Sequence, residues 1–285
     1  MRIVSSRIYM LHFQRIYVGA TYTVFQSRLR SAFWMLYVAV SRAEARGRPL
    51  PDTAMVMWLG DAAQKYFRRW VGPSEPVPVF CNTRCTDDAS ISFPICFDAE
   101  FGHHFDMALT TYHERHLAMQ GWDGGDWRNK INKLFFSSGH SVDASELGHR
   151  RELFAFRNKS HFDLRHEYLP VNASSQYRYL VYAHGNPGWS RRIRELTYMR
   201  ATVLYEISSC NEYFTDMYTP NGHCLPVAAN FSDIGQKLEH AINNTAASER
   251  MVYAWMQRGH QILSLTCTLD YIELLLREYS RLLDF

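Results

Sequence analysis

Apolar positions along this chain switch repeatedly between two periods, and the switches mark out its elements. Phe25, Leu29, Ala32, Phe33, Leu36 and Val40 recur at helical spacing, which predicts a helix over residues 25–45 that stops before Gly47 and Pro49. Thr53-Ala-Met-Val-Met-Trp-Leu59 reads as a buried strand leaving into Gly60-Asp61, with a helix over 62–70 behind it. Prolines between 73 and 78 lead into a short strand over 77–80, and residues 81–101 are loop-rich. Phe105, Ala108, Leu109, Tyr112 and His116 share a helix face before Gly121-Trp-Asp-Gly-Gly-Asp126 breaks the pattern.

Beyond that break the alternation is clearer. Lys130-Ile-Asn-Lys-Leu-Phe-Phe136 predicts a strand, Ser137-Ser-Gly-His-Ser141 a small-residue loop, and residues 146–157 a helix. The unit repeats as a strand (Tyr177-Arg-Tyr-Leu-Val-Tyr-Ala183), a turn (His184-Gly-Asn-Pro-Gly188), a basic helix opening (Trp189-Ser-Arg-Arg-Ile193) and a strand (Ala201-Thr-Val-Leu-Tyr-Glu206). Three helices close the chain: 232–243 capped by Ser232, 246–258 stopped by Gly259, and 268–283 with Ile272, Leu275, Leu276, Tyr279 and Leu282 on one stripe. Strands alternating with helices predict an α/β protein of layered type. Two domains are expected, residues 1–129 and 130–261, with the last helix, 262–285, packing back on the first.

Composition narrows the function classes. With 285 residues, 47% hydrophobic and 21% charged, the chain is globular throughout. A net charge of +3 with dispersed basic residues excludes a nucleic-acid stripe. No apolar run reaches membrane-spanning length, and Arg2, Arg7, His12, Gln14 and Arg15 interrupt any signal-like core, so the expected compartment is the cytoplasm, with a lumenal location as the alternative. Six cysteines, Cys81, Cys85, Cys96, Cys210, Cys224 and Cys267, are too scattered for a disulfide framework and are expected as free or buried thiols. A zinc set of Cys81, Cys85 and Cys96 lacks a CxxC pair. The sequons at Asn158, Asn172, Asn230 and Asn243 matter only in a secretory lumen.

The turn at 184–188 followed by arginines carries the candidate chemistry. Such a loop aims backbone N–H groups and guanidinium donors beyond a strand end, where an α/β fold holds a phosphate. A nucleotide diphosphate is the expected ligand. Arg192 is the arginine assigned to it, while Arg191 and Arg194 are expected on a solvated helix face. Asp61, at a strand's carboxyl end, is either an acid of the site or a helix cap. No Walker loop, dinucleotide fingerprint or nucleophile elbow occurs. His113-Glu-Arg-His116 has the wrong spacing for a zinc helix, even with His103-His104 nearby, and adjacent Asp87-Asp88 point apart on an extended chain. A metal-free site is expected.

Taken in order, these segments resemble glycosyltransferase family 90, which includes CAP10-like xylosyltransferases and protein O-glucosyltransferases. The resemblance rests on Tyr177 to Gly185, Ser190-Arg-Arg192, Ala201-Thr-Val-Leu204, Asn211-Glu-Tyr-Phe214 and Thr219-Pro-Asn-Gly-His-Cys-Leu-Pro-Val227. It continues through Phe231-Ser-Asp-Ile234, Ala241-Ile-Asn-Asn244, Arg258-Gly-His260 and Leu276-Arg-Glu-Tyr-Ser280. Upstream, Leu50-Pro-Asp52 and then Asp61 resemble the family's strand ending in its catalytic aspartate. Two departures stand out. Phe136-Ser-Ser-Gly139 replaces the family's Phe-Arg-Gly, and His223-Cys224 replaces His-Tyr.

What the resemblance implies is a GT-B architecture, two facing Rossmann-like lobes with a cleft, and inverting transfer from a UDP-sugar without a metal or other cofactor. Asp61 would be the base. Ser138, Gly139, His140, Arg150, Ser190 and Arg192 would bind the donor, with Glu212 near the ribose and His223 near the sugar. The short chain looks most like a compact, virus-encoded xylosyltransferase, so UDP-xylose is the expected donor and a glycan or glycoprotein the acceptor. A UDP-glucose-dependent protein O-glucosyltransferase is the alternative, and a noncatalytic scaffold of the same fold is the rival outside enzymes.

Overall fold

The computed structural model describes residues 2–4, 7–9, 22–58, 79–85, 90–94, 121–138, 150–167, 169–185, 190 and 192–283. In chain order its strands and α-helices are β1 (Arg2–Val4), β2 (Arg7–Tyr9), α1 (Tyr22–Ala45), β3 (Thr53–Ala54), β4 (Val56–Met57), β5 (Val79–Cys81), β6 (Thr83–Cys85), β7 (Ser90–Ser92), β8 (Ile131–Ser137), α2 (Arg150–Phe154), β9 (Phe162–Arg165), β10 (Tyr177–Tyr182), α3 (Arg192–Leu196), β11 (Thr202–Glu206), β12 (Cys210–Glu212), β13 (Leu225–Val227), α4 (Ile234–Asn243), α5 (Thr245–Ile262) and α6 (Leu265–Ser280). The chain divides into two compact units, Met1–Glu114 with Ser264–Phe285, and Arg115–Leu263.

In the first unit, β1 pairs antiparallel with β2 and with β3, while β4, β5 and β7 form a parallel sheet. The strand expected over 53–59 is therefore two short strands. The chain steps between sheets at Met55, so β3 and β4 serve different partners. Helix α6 starts three residues earlier than its apolar stripe predicts, because Ser264 Oγ accepts from Cys267 N at 3.2 Å and caps the first turn. It buries Leu269, Ile272, Leu276 and Tyr279, and Tyr279 meets Phe80 of β5 edge-on at 4.8 Å. Arg42 of α1 reaches Glu273 and Asp270 of α6, each at 2.5 Å.

The second unit is built on five parallel strands in the order β13-β11-β10-β8-β9. Parallel strands covered on both faces need continuous apolar runs, and Tyr179-Leu-Val-Tyr182 of β10, the central strand, is buried throughout. One core gathers Trp127, Phe136, Tyr179, Leu204 and Phe231 against Leu238 of α4 and Val252 of α5. Trp127 is also fixed by its indole N–H, which donates to Arg178 O at 3.1 Å.

Three expected boundaries change here. Helix α4 is preceded by Asp233 rather than Ser232 as its cap residue, and the Asp233 carboxylate accepts from Ala228 N at 2.8 Å instead of closing the helix. The helix expected over 146–157 spans Arg150–Phe154 among the described residues and then passes into turns. Helix α5 does not stop at Gly259 but runs through it to Ile262. A Cβ at Gly259 would lie 2.2 Å from Thr197 Cγ2 and 2.9 Å from the Tyr218 hydroxyl, so this glycine permits close approach rather than ending the helix.

Cysteine states also depart from expectation. Cys81, Cys224 and Cys267 stand outside any disulfide, but Cys85 and Cys210 are each disulfide-bonded. A disulfide sulfur is unavailable to zinc, which removes the set of Cys81, Cys85 and Cys96; Cys96 lies outside the described residues.

Candidate functional site

Because all five strands of this parallel sheet run one way, their carboxyl ends share one edge, and four of the candidate residues lie there. Strand β8 delivers Phe136, Ser137 and Ser138, and β10 delivers Ala183, His184 and Gly185. Arg150, the first residue of α2, is buried between them. Its Nε donates to His184 O at 2.9 Å, Nη2 to Ala183 O at 3.3 Å and Nη1 to Ser138 Oγ at 3.3 Å. One guanidinium thus ties two strand ends together. Burial lowers its pKa, opposed by Tyr182 and the Glu206 carboxylate, but guanidinium remains charged at any working pH.

Arg192 opens α3 and approaches the same place. Its Nη2 donates to Ser137 O at 2.7 Å, and its Cζ lies 4.5 Å from the centroid of the Phe136 ring, with Arg150 Cζ 5.7 Å from that centroid. Two cations over one ring make a strongly positive spot, which the ring face partly offsets. Ser190 sits beside it, its N–H donating to the Tyr182 hydroxyl at 3.1 Å and its Oγ accepting from Arg192 N at 3.4 Å. Ser138, Arg150, Ser190 and Arg192 are therefore brought together by the fold.

The remaining expected residues have other settings. Glu212 is buried and its Oε2 accepts from Arg194 Nη2 at 2.8 Å, the two side chains 2% and 11% exposed. Arg194, expected on a solvated face, is instead half of a buried ion pair, and its guanidinium lies 5.1 Å from the Phe214 ring centroid. His223 closes a turn, Nδ1 accepting from Thr219 N at 2.8 Å. A neutral imidazole held that way carries its proton on Nε2, which makes Nε2 a donor. Asp61, Gly139, His140 and Arg191 lie outside the described residues, as do the histidines between 103 and 116.

One pair at this edge escapes sequence reasoning. The Glu206 carboxylate, at the end of β11, accepts from His184 N at 2.6 Å and faces His184 Nδ1 at 3.2 Å, both side chains 2% exposed. Its only signal in the chain is a charged residue ending an apolar strand. Deeper in the fold, burial raises the pKa of Tyr182 and Tyr205 well above the usual phenol range and pushes the Cys224 thiol up to about 12.

Among the described residues no group of three or more His, Cys, Asp or Glu side chains is placed to hold a metal ion, and no helix is long and apolar enough to cross a membrane. The model of the family described as glycosyl transferase family 90 matches residues 3–285. No curated protein matches. Among solved structures the chain is similar to a glycosyltransferase from Rickettsia africae ESF-5, with 9% identity, a TM-score of 0.43, and 94% of this chain and 84% of that chain covered.

Proposed function

The chain belongs to glycosyltransferase family 90, whose chemistry is sugar transfer, and we propose that its donor is a UDP-sugar, UDP-xylose before UDP-glucose, and its acceptor a hydroxyl of a glycan. The reading extends to the GT-B class and to inversion without a metal. The observation that supports it best is the positive edge of the second unit, where Arg150 and Arg192 share the Phe136 ring beside Ser138 and Ser190.

In this proposal the acceptor oxygen attacks the anomeric carbon from the face opposite the diphosphate, and the Asp61 carboxylate takes the hydroxyl proton. The bond from the anomeric carbon to the β-phosphate oxygen breaks, and its electron pair stays on that oxygen. Charge grows there during the step, so Arg192, Arg150, Ser138, Ser190 and the Gly139-His140 segment stabilise the transition state more than the ground state. His223, with its donor at Nε2, and Glu212, held by Arg194, complete the donor side. Disulfide bonding at Cys85 and Cys210 favours an oxidising compartment over the cytoplasm.

Calorimetry with UDP-xylose, UDP-glucose and UDP tests the donor. Binding and slow hydrolysis of one UDP-sugar is the expected result; binding of none would return the chain to a noncatalytic scaffold. Asp61→Asn should bind that donor unchanged while transfer is lost, and weakened binding with transfer retained would remove Asp61 as base.

A further inference from the structure

His184 is the first titratable residue after β10, and charged side chains from two other elements clamp its main chain. Glu206 of β11 takes its N–H, and Arg150 of α2 donates to its C=O at 2.9 Å. The same Glu206 oxygen faces the ring at Nδ1, 3.2 Å away. A carboxylate can only accept, so Nδ1 carries a proton and Nε2, across the ring, is the nitrogen left for a ligand. Tyr182 and Tyr205 wall the ring, with centroids 4.8 and 6.1 Å from it. Burial keeps both phenols neutral; Glu206 and Arg150 are the charged side chains that bond to His184, and the charges of Glu212 and Arg194 act on Tyr182 beside it.

Fixing a histidine tautomer does not require a buried carboxylate, because a backbone carbonyl does so without desolvating a charge. We propose that His184 is a donor-side residue that binds the diphosphate of the UDP-sugar as an imidazolium, with Glu206 holding the ring and offsetting its charge. The inference rests on the UDP-sugar reading above. Neutral imidazole with Nδ1–H toward Glu206 offers Nε2 as an acceptor, which repels phosphate oxygen, whereas imidazolium offers Nε2–H as a donor. The ring that meets the diphosphate is therefore the imidazolium, its second proton on Nε2 supplied by solvent where the free ring lacks it. The proton stays there as the glycosidic bond breaks, hydrogen-bonded toward the β-phosphate oxygen that receives the electron pair, so no further reactant is required.

Calorimetry at pH 8 in two buffers of different ionisation enthalpy reads that proton directly, with UDP-glucose and UDP-xylose as probes, since a diphosphate esterified at both ends has no proton to exchange there. Wild-type protein should take up a substantial fraction of a proton per donor bound. His184→Gln should abolish the uptake and weaken binding about 10- to 100-fold, the loss of one charged hydrogen bond. Glu206→Gln, which still accepts from His184 N, should reduce uptake with a smaller loss of affinity. A thermal scan of each variant separates misfolding from loss of the ligand contact, and the wild-type measurement needs no variant. Donor binding without proton uptake, and as tight in His184→Gln as in the wild type, would overturn the role of His184 and leave the UDP-sugar reading standing. Binding of neither donor would overturn both.

Discussion

Arg150 and Arg192 share one ring but differ in what else they hold, and substitution should separate them. Arg150 is buried, with a donor each on Ala183 O, His184 O and Ser138 Oγ. Arg192 is only half-buried and leans on Ser137 O and Phe136. Arg150→Ala leaves buried carbonyls without donors, so it should cost stability on the order of 3 kcal/mol by thermal or urea denaturation. Arg150→Lys should recover little, because an ammonium cannot span three acceptors set by a planar fork. Arg192→Ala should keep the melting temperature and lower turnover of the UDP-sugar about a hundredfold or more, read by donor hydrolysis. Unchanged turnover in that variant would remove Arg192 from the site. Basic residues after a glycine turn announce such a site from the sequence, but their partners do not. Arg194 and Arg192 are two positions apart on one short helix, and only the fold sends one to Glu212 and the other to Phe136.

At the scale of elements, the parallel strands of the second unit are the best-written part of the chain. Their apolar runs are continuous because both faces are covered, and β8, β10 and β11 begin and end within a residue or so of where hydrophobicity predicts. Helix ends are harder, since glycine has two uses. Gly259 reads as a stop, yet α5 needs it to press against Thr197 and Tyr218. Gly259→Ala should therefore destabilise by about 1–3 kcal/mol through overpacking, exceeding the ~1 kcal/mol that alanine gains from helix propensity. Adding Thr197→Ala removes the two nearest atoms, 2.2 and 2.7 Å from the introduced Cβ, and should return part of that stability. If Gly259→Ala alone were stabilising, the close approach would be wrong.

Across the whole molecule, thiol chemistry and pH report on burial that no single element shows. Iodoacetamide under native conditions should label Cys267 before Cys81 and Cys224, which are buried, while Cys85 and Cys210 should resist until reduced; mass spectrometry reads each site. Stability above neutrality should follow two opposed groups. Burial lowers Lys130 from its ordinary 10.5 to about 8, with Arg200 adding repulsion and Asp123 opposing, while its ammonium donates to Asp123 O and Met199 O. Between those values the unfolded chain holds a proton that the folded chain has lost, so stability rises with pH. Cys224 acts the other way. Its thiol titrates ordinarily at 9 but at about 12 when folded, so from pH 9 upward the unfolded chain loses a proton that the folded chain keeps, and stability falls. Urea midpoints should therefore climb from pH 8 to 9 and level off above it, where the slopes cancel, before unfolded tyrosines near 10 turn the curve down. Lys130→Met should abolish the climb whatever it does to the baseline, and Cys224→Ala should extend it beyond pH 9. A flat profile from pH 8 to 9 in the unmodified chain would mean that Lys130 keeps its proton in the fold, its two carbonyl partners outweighing the cost of burial.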